Sequence, residues 1–394
     1  MTETTWRFDP LDTWFFRESR PHGTISGSEL ESLFPPPVRT LCGAVRTLIG
    51  DLSGANWTAF RDNPDPDLKA RIGHGDDLGP LSFKGPWLTR LNNGGVQRLY
   101  PVPAFLLASG QDDKRRLHRL RPGDPVECDL GRGVRLPVLE KDERGAKPLE
   151  GVWLTAAGLK AVLQGRLPEP ADVVEEKLYD DEPRLGIARD NRRRTAQEQM
   201  LYQTRHLRLR DQVAVELDVA GAALTPVSGS TVRLGGEGRV ALVSGRATPK
   251  LPSISSTDGA TGLILCLMTP ADPVDPGKKP EDLRKSPLLP GFRKVEESSP
   301  TVWRGEINGV SLTCHCAVIG KPRREGGWDL VRRGPRPVRS LIPAGSAWFC
   351  TVDGNDLSRA IDALHGTQIG TEQKLGRGIL AVGLWNDDYK EKQS

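Results

Sequence analysis

The sequence predicts an α+β chain of two domains, rich in strands and loops, and three observations carry that expectation. Its 394 residues exceed what one ordinary hydrophobic core serves. Its 43 glycines and 32 prolines cut the periodic segments short. Helical spacing is confined to a few stretches, with short apolar runs bounded by turn residues between them.

The first helix is expected after the stop Pro35-Pro36-Pro37, where Val38, Leu41, Val45, Leu48 and Ile49 recur at helical spacing. Arg39 and Arg46 fall seven apart, so they share one face of that helix. Before it, Trp14-Phe15-Phe16-Arg17 reads as a short buried strand entering the loop Glu18-Ser19-Arg20-Pro21-His22-Gly23. Residues 79–89 and 98–107 read as strands or extended pieces punctuated by prolines. Residues 114–151, rich in Arg, Asp, Glu, Gly and Pro, read as an exposed excursion. A second helix is expected over 153–163, with Thr155 as its cap.

Residues 185–190 and 200–207 read as the two strands of a hairpin, with Asn191-Arg192-Arg193-Arg194-Thr195 at its tip. A second core is expected to begin near 212–218 and to run through 240–243, 262–268, 310–319 and 346–352. The domain division is therefore expected near residue 215, giving units 1–215 and 216–394. The Pro- and Lys-rich span 270–300 reads as a surface insertion. A third helix over 356–364 leads through a glycine-rich loop to a strand over 379–385.

Composition narrows the function classes. Hydrophobic residues at 37% and charged residues at 27% suit a folded, soluble protein, and no apolar run is long enough to cross a membrane. The start lacks a signal-peptide core, and six scattered cysteines form no disulfide framework, so a reducing cytoplasm is expected. A net charge of +4 is modest, so a case for nucleic acid rests on clustering.

Such clusters exist. Lys374 and Arg377 lie in the glycine-rich loop, whose exposed amides suit a phosphate chain; ordinary turn chemistry explains the glycines equally well. At the hairpin, Arg189, Arg192, Arg193 and Arg194 are followed by Arg205, Arg208 and Arg210, with only Asp190 and Glu198 as local acids. Three adjacent arginines suit a phosphate clamp, and Tyr202 suits stacking on a base; a solvated tip is the alternative. A further basic stretch surrounds Gly326-Gly327-Trp328-Asp329, where Trp328 reads as an RNA-stacking side chain, an interface anchor or a partly buried structural residue.

Catalytic signals are poor: there is no Walker phosphate loop, no HExxH and no GxSxG. Cys314-His315-Cys316 places two cysteines on one strand face without a second ligand pair, so buried strand cysteines are expected rather than zinc. No cofactor or metal is called for. His22 beside Arg20 suits either proton transfer to RNA or passive phosphate binding.

Several of these motifs recur in order in one family. They are Pro10-Leu11-Asp12-Thr13-Trp14-Phe15-Phe16-Arg17-Glu18-Ser19-Arg20-Pro21, Pro101-Val102-Pro103-Ala104, Gly186-Ile187-Ala188-Arg189-Asp190 with Leu201-Tyr202, and Leu234-Gly235-Gly236-Glu237-Gly238-Arg239. Gly327-Trp328-Asp329, Ile342-Pro343-Ala344-Gly345-Ser346 and the tail loop complete the set. With them the chain resembles the RAMP subunit that caps the 5′ handle of the guide RNA (crRNA) in type III-B CRISPR effectors, the third subunit of the Cmr complex. One departure is a reduced glycine loop, Gln368-Ile369-Gly370 and Gly376-Arg377-Gly378-Ile379-Leu380, with arginine where the family carries a hydrophobic residue.

The resemblance implies two ferredoxin-like (RRM-like) domains with inserted loops and a projecting hairpin. It also implies a scaffold that cleaves nothing, seated between the large polymerase/cyclase-like subunit and a backbone RAMP subunit, with target RNA as a further possible partner. The expected handle surface is Arg17, Ser19, Arg20, His22, Arg39, Arg46, Lys374, Gly376 and Arg377. Arg192, Arg193, Arg194 and Tyr202 are expected near the junction of handle and guide. Two alternatives stay open: a metal-independent repeat-RNA endonuclease using His22 or His206, and a protein-only interface module.

Overall fold

A computed structural model describes residues 3–18, 29–92, 94–111, 115–190, 192–193, 195–273, 286–295, 298–354 and 356–386, with the backbone alone at 188–190 and 195–201. The first half contains β1 (Thr4–Pro10), α1 (Val38–Leu52), β2 (Ser82–Asn92), β3 (Gly95–Pro101), α2 (Ala156–Leu163), β4 (Tyr179–Asp190), β5 (Thr195–Leu209), β6 (Val213–Ala220), β7 (Ser230–Arg233) and β8 (Val240–Ala247). The second contains β9 (Gly262–Leu267), β10 (Trp303–Ile307), β11 (Val310–Val318), β12 (Ala347–Val352), α3 (Leu357–Leu364) and β13 (Leu380–Trp385). The chain is a mixed α+β protein, rich in strands and with few helices.

Two antiparallel sheets organise it. The first runs β3-β2-β6-β1-β8-β7, extended beyond β3 by two-residue strands at 153–154 and 173–174; the second runs β10-β11-β12-β9-β13, with 293–294 beyond β10. Four neighbouring strands of each sheet, counted along the chain, stand in one shared order: second, third, first, fourth. These are β2-β6-β1-β8 and β11-β12-β9-β13. No short sequence repeat announces this likeness.

The sheets form because their strands alternate. In β1 and β6, Trp6, Phe8, Val215 and Leu217 point to one face and join Leu41 and Val45 of α1 in the first core. The opposite face holds a buried polar network: Arg98 donates to Asp218 at 2.6 Å and to Glu216 at 3.1 Å, and Arg246 donates to Glu216 at 2.7 Å. These pairs answer the desolvation cost of burying charge. In the second half α3, capped by Asp356 accepting from the Arg359 amide at 3.0 Å, packs Ile361 and Leu364 against Leu265, Trp348 and Val382. The expected cap of α2 is present as well, with Thr155 Oγ1 accepting from the Gly158 amide at 3.1 Å. Helix α2 contributes Leu159 and Val162 to a third cluster with Trp87, Tyr100, Phe349 and Trp385, so side chains from both sheets share one core.

Four expectations need revision. Strand β6 runs unbroken through residue 215, and β8 pairs with β1 along its length, so the first sheet extends to Ala247 and the segments 212–218 and 240–243 belong to it. Residues 114–151 are no simple excursion: strands Arg116–Cys128 and Gly131–Leu139 pair, and Val134 is buried in the second core. Trp14 and Arg17 make only isolated bridges, to Leu207 and Ser32, although the aromatic run between them is buried as expected. Within 270–300 the described part is not merely surface, because Leu289 and Phe292 are core residues and Trp348 Nε1 donates to the Pro287 carbonyl at 2.7 Å.

Candidate nucleic-acid interface

Helix α1 forms as its spacing predicts, and its basic face meets two loops. Arg46 donates to the Gly75 carbonyl at 2.9 Å, and Arg39 donates to Asp76 at 3.3 Å and to Glu372. Lys374 Nζ reaches the Gly79 carbonyl at 3.2 Å. One basic helical face, the 73–79 loop and the glycine-rich loop are thus brought together, although the glycine-rich loop lies 295 residues from the 73–79 loop at the Lys374–Gly79 contact. Pro37 supplies no side-chain cap and α1 has no acid in its first turn, so the carboxylates beside its positive end, Asp76 and Glu372, come from other loops.

Gly376 is required by this arrangement. It has φ of +90°, and an added Cβ would lie 3.0 Å from the Phe83 carbonyl oxygen and 3.1 Å from the Gly85 amide of β2. The loop therefore lies directly on a strand of the other sheet. Lys374 remains exposed, whereas Arg46 is largely covered and its pKa is pushed down by that burial.

Arg377 departs from the expected role. It is 3% exposed, with Nη2 2.7 Å from Glu325 and Nε 2.9 Å from Glu372, so its charge is used inside the protein and offers no face to RNA. A hydrophobic residue at this point would simply be buried; arginine is buried here because two carboxylates surround it. Glu372 is the residue the sequence did not announce. It holds Arg39 as well as Arg377, at a backbone φ of +58°.

The two strands of the hairpin pair as expected, with Arg192 and Arg193 exposed at its turn; Arg194 lies outside the described residues. Tyr202 is half-buried, and its ring fills the space that Gly186 leaves across the hairpin. The arginines nearer the base are not short of acids. Arg205 pairs with Glu29, Arg208 with Glu182 at 2.6 Å and Asp12 at 2.9 Å, and Arg210 with Asp180 at 3.4 Å. Arg184 and Arg239 each hold Asp12 at 3.0 Å. Hydrogen bonds from Arg184, and then from Arg208, pull the Asp12 carboxyl down to a pKa of about 2. These partners come from the facing strand and from distant loops, which inspection of the local sequence could not show.

Arg17 is exposed, while Ser19, Arg20 and His22 lie outside the described residues. His206 is fully buried, stacked on Phe15 with ring centroids 5.3 Å apart. Its Nε2 sits 3.0 Å from Glu237, and its Nδ1 sits 3.0 Å from the Thr13 hydroxyl. A carboxylate only accepts, so Nε2 carries the proton and Nδ1 accepts from Thr13. Burial, aided by Arg239, pushes its pKa below the ordinary histidine value. This histidine is built into the core and meets no solvent, so the expectation that it could work on RNA is corrected.

Cys314 and Cys316 are buried, as the sequence suggested, but they do not share a face. A register shift in the β11–β12 pairing falls between them, which puts Cys314 in the second core and Cys316 in the third. Among the described residues no cluster of three or more His, Cys, Asp and Glu side chains could hold a metal, and no helix is long and apolar enough to cross a membrane.

The family model for CRISPR-associated proteins of the Cas_Cmr3 type matches residues 6–385. The chain belongs to the Cas_Cmr3 family. It is also similar to chains in solved structures, all distant. One is in the type III-B Cmr-beta complex bound to cognate target RNA, at 14% identity over 95% of this chain and 96% of that one, with a TM-score of 0.49. Another is in the same complex with AMPPnP, at 14% identity over 88% and 86%, with a TM-score of 0.47. A third is in the Csm3–Csm4 subcomplex of a type III-A interference complex, at 12% identity over 98% and 100%, with a TM-score of 0.39. No curated protein matches the chain. The Cas_Cmr3 match spans the tail loop, the hairpin and α1 alike, so the whole arrangement described above lies within it.

Proposed function

We propose that this chain is a scaffold subunit of a type III-B CRISPR effector that holds the 5′ handle of the guide RNA and cleaves nothing itself. The observation that carries this reading is the meeting of Arg39, Arg46, Lys374 and Gly376 where α1, the 73–79 loop and the glycine-rich loop converge. Ion pairs at a partly exposed surface contribute little, so a phosphate can replace Asp76 on Arg39 at small cost. Arg17, Arg192, Arg193 and Tyr202 form a second group along the hairpin, suited to the RNA beyond the handle. Each sheet serves in this reading as the core of a ferredoxin-like unit, with the boundary between Ala247 and Gly262, and the large subunit and a backbone subunit as protein neighbours.

The test is binding of this chain, alone and with its large subunit, to guide RNA with and without the 5′ handle, followed by sizing of the recovered RNA. Retention of intact RNA that depends on the handle supports the scaffold. Shortened RNA supports the endonuclease, and since His206 is sealed in the core, His22→Ala is the variant to examine. Retention without handle dependence overturns the reading.

A further inference from the structure

Residues 328–335 form a small hairpin in which Trp328 pairs with Pro335 and Asp329 with Gly334. Its polar and apolar side chains are turned the opposite way from an ordinary exposed turn. The acid points inward: Asp329 is 6% exposed, accepts from the Val331 amide at 3.0 Å and the Arg332 amide at 2.9 Å, and pairs with Arg336 at 2.9 Å. The apolar residues of the turn point outward, with Trp328 60%, Leu330 76% and Val331 42% exposed. Arg336 also holds Asp76 at 2.8 Å, which ties the hairpin to the 73–79 loop. The turn is therefore internally fixed, so its exposed tryptophan and leucine are presented in one geometry.

Exposed apolar groups clustered on a fixed tip are the anatomy of an interface anchor, in which a tryptophan flanked by arginine fills a partner's pocket. Arg324, Arg332 and Arg333 are exposed around them, while the one acid of the tip is consumed within it. We propose that this hairpin docks into an apolar pocket rimmed by carboxylates on a neighbouring protein subunit. RNA fits less well: Trp328 could stack on a base, but Leu330 and Val331 offer nothing to phosphate or ribose. The proposal rests on the reading of the chain as an assembly subunit and names a surface for that assembly.

The experiment is a reconstitution of the full chain with its large subunit and, separately, its backbone subunit, without RNA, comparing wild type with Trp328→Ala/Leu330→Asp. The same variant is titrated with guide RNA carrying the handle, and both proteins are melted. The expected result is at least a tenfold loss of affinity for one subunit, with unchanged RNA binding and melting temperature. Equal affinity of variant and wild type for both subunits overturns the proposal, as does a loss of RNA binding with subunit binding intact. A lowered melting temperature is resolved by Arg333→Glu/Arg324→Glu, which should weaken the same subunit contact while leaving the amides and guanidinium that hold Asp329 in place; failure to do so also overturns it. Wild type that binds neither subunit sinks the docking surface while handle binding, read separately, decides the scaffold role.

Discussion

Arg377 and Glu325 meet 2.7 Å apart at the junction of the two sheets, 3% and 5% exposed. Glu372 closes on the same guanidinium from the glycine-rich loop and reaches on to Arg39 of α1. One buried pair thus determines how the loop lies on the basic helix.

Removing one partner leaves each buried charge with only its second partner, Arg323 for Glu325 and Glu372 for Arg377. Arg377→Met or Glu325→Gln should each destabilise the protein by about 1.5–3 kcal/mol, measured by denaturant unfolding. The double variant Arg377→Met/Glu325→Met should recover part of that loss. A single variant as stable as wild type would show that the pair is not what fixes the loop.

Gly376 can be separated from other glycines in the same left-handed conformation. Gly354 has φ of +83° with open space around it, so Gly354→Ala should cost only about 1 kcal/mol of backbone strain. Gly376→Ala adds a close approach to the Phe83 carbonyl and should cost more, with weaker handle binding because the loop is lifted from β2. Paired thermal melts and RNA titrations check the order.

The cations differ in how available they are. Arg39→Gln and Lys374→Gln should each weaken handle binding, and each should flatten the salt dependence by roughly one counterion. Arg192→Ala/Arg193→Ala should lower affinity for RNA extending past the handle. Titrations at several salt concentrations distinguish the two groups.

His206 supplies a pH dependence with a definite sign. Its folded pKa lies below the unfolded value because burial disfavours the charged ring. Its contribution to stability is therefore complete above about pH 6.5 and is lost as pH falls through the folded pKa. Melting temperature should drop across that range in wild type, and less steeply in His206→Gln. The same steepness in both would assign the dependence to another group.

The sequence was most legible where structure is local. Helix α1 and the caps Thr155 and Asp356 depend on neighbours three or four residues apart, so spacing and side-chain chemistry are enough to find them. The hairpin β4–β5 and its basic tip follow from two apolar runs around a polar turn. The domain limit near 215 went astray because nothing local to β6 says which sheet it joins; pairing with β1 and β2 decides that. The cysteine pair failed for a related reason, since a bulge set by the partner strand turned one side chain to the opposite face.

By itself, then, the sequence determined the α+β class, the principal helices, the paired strands of the basic hairpin and the family whose ordered motifs it carries. Tertiary structure alone decided which charges are available. Arg377, equally basic on paper, is enclosed by Glu325 and Glu372, while Lys374 three residues earlier stays in solvent. The reason is physical: a carboxylate neutralises whatever cation folding brings within a few ångströms, and separation along the chain carries no information about that distance.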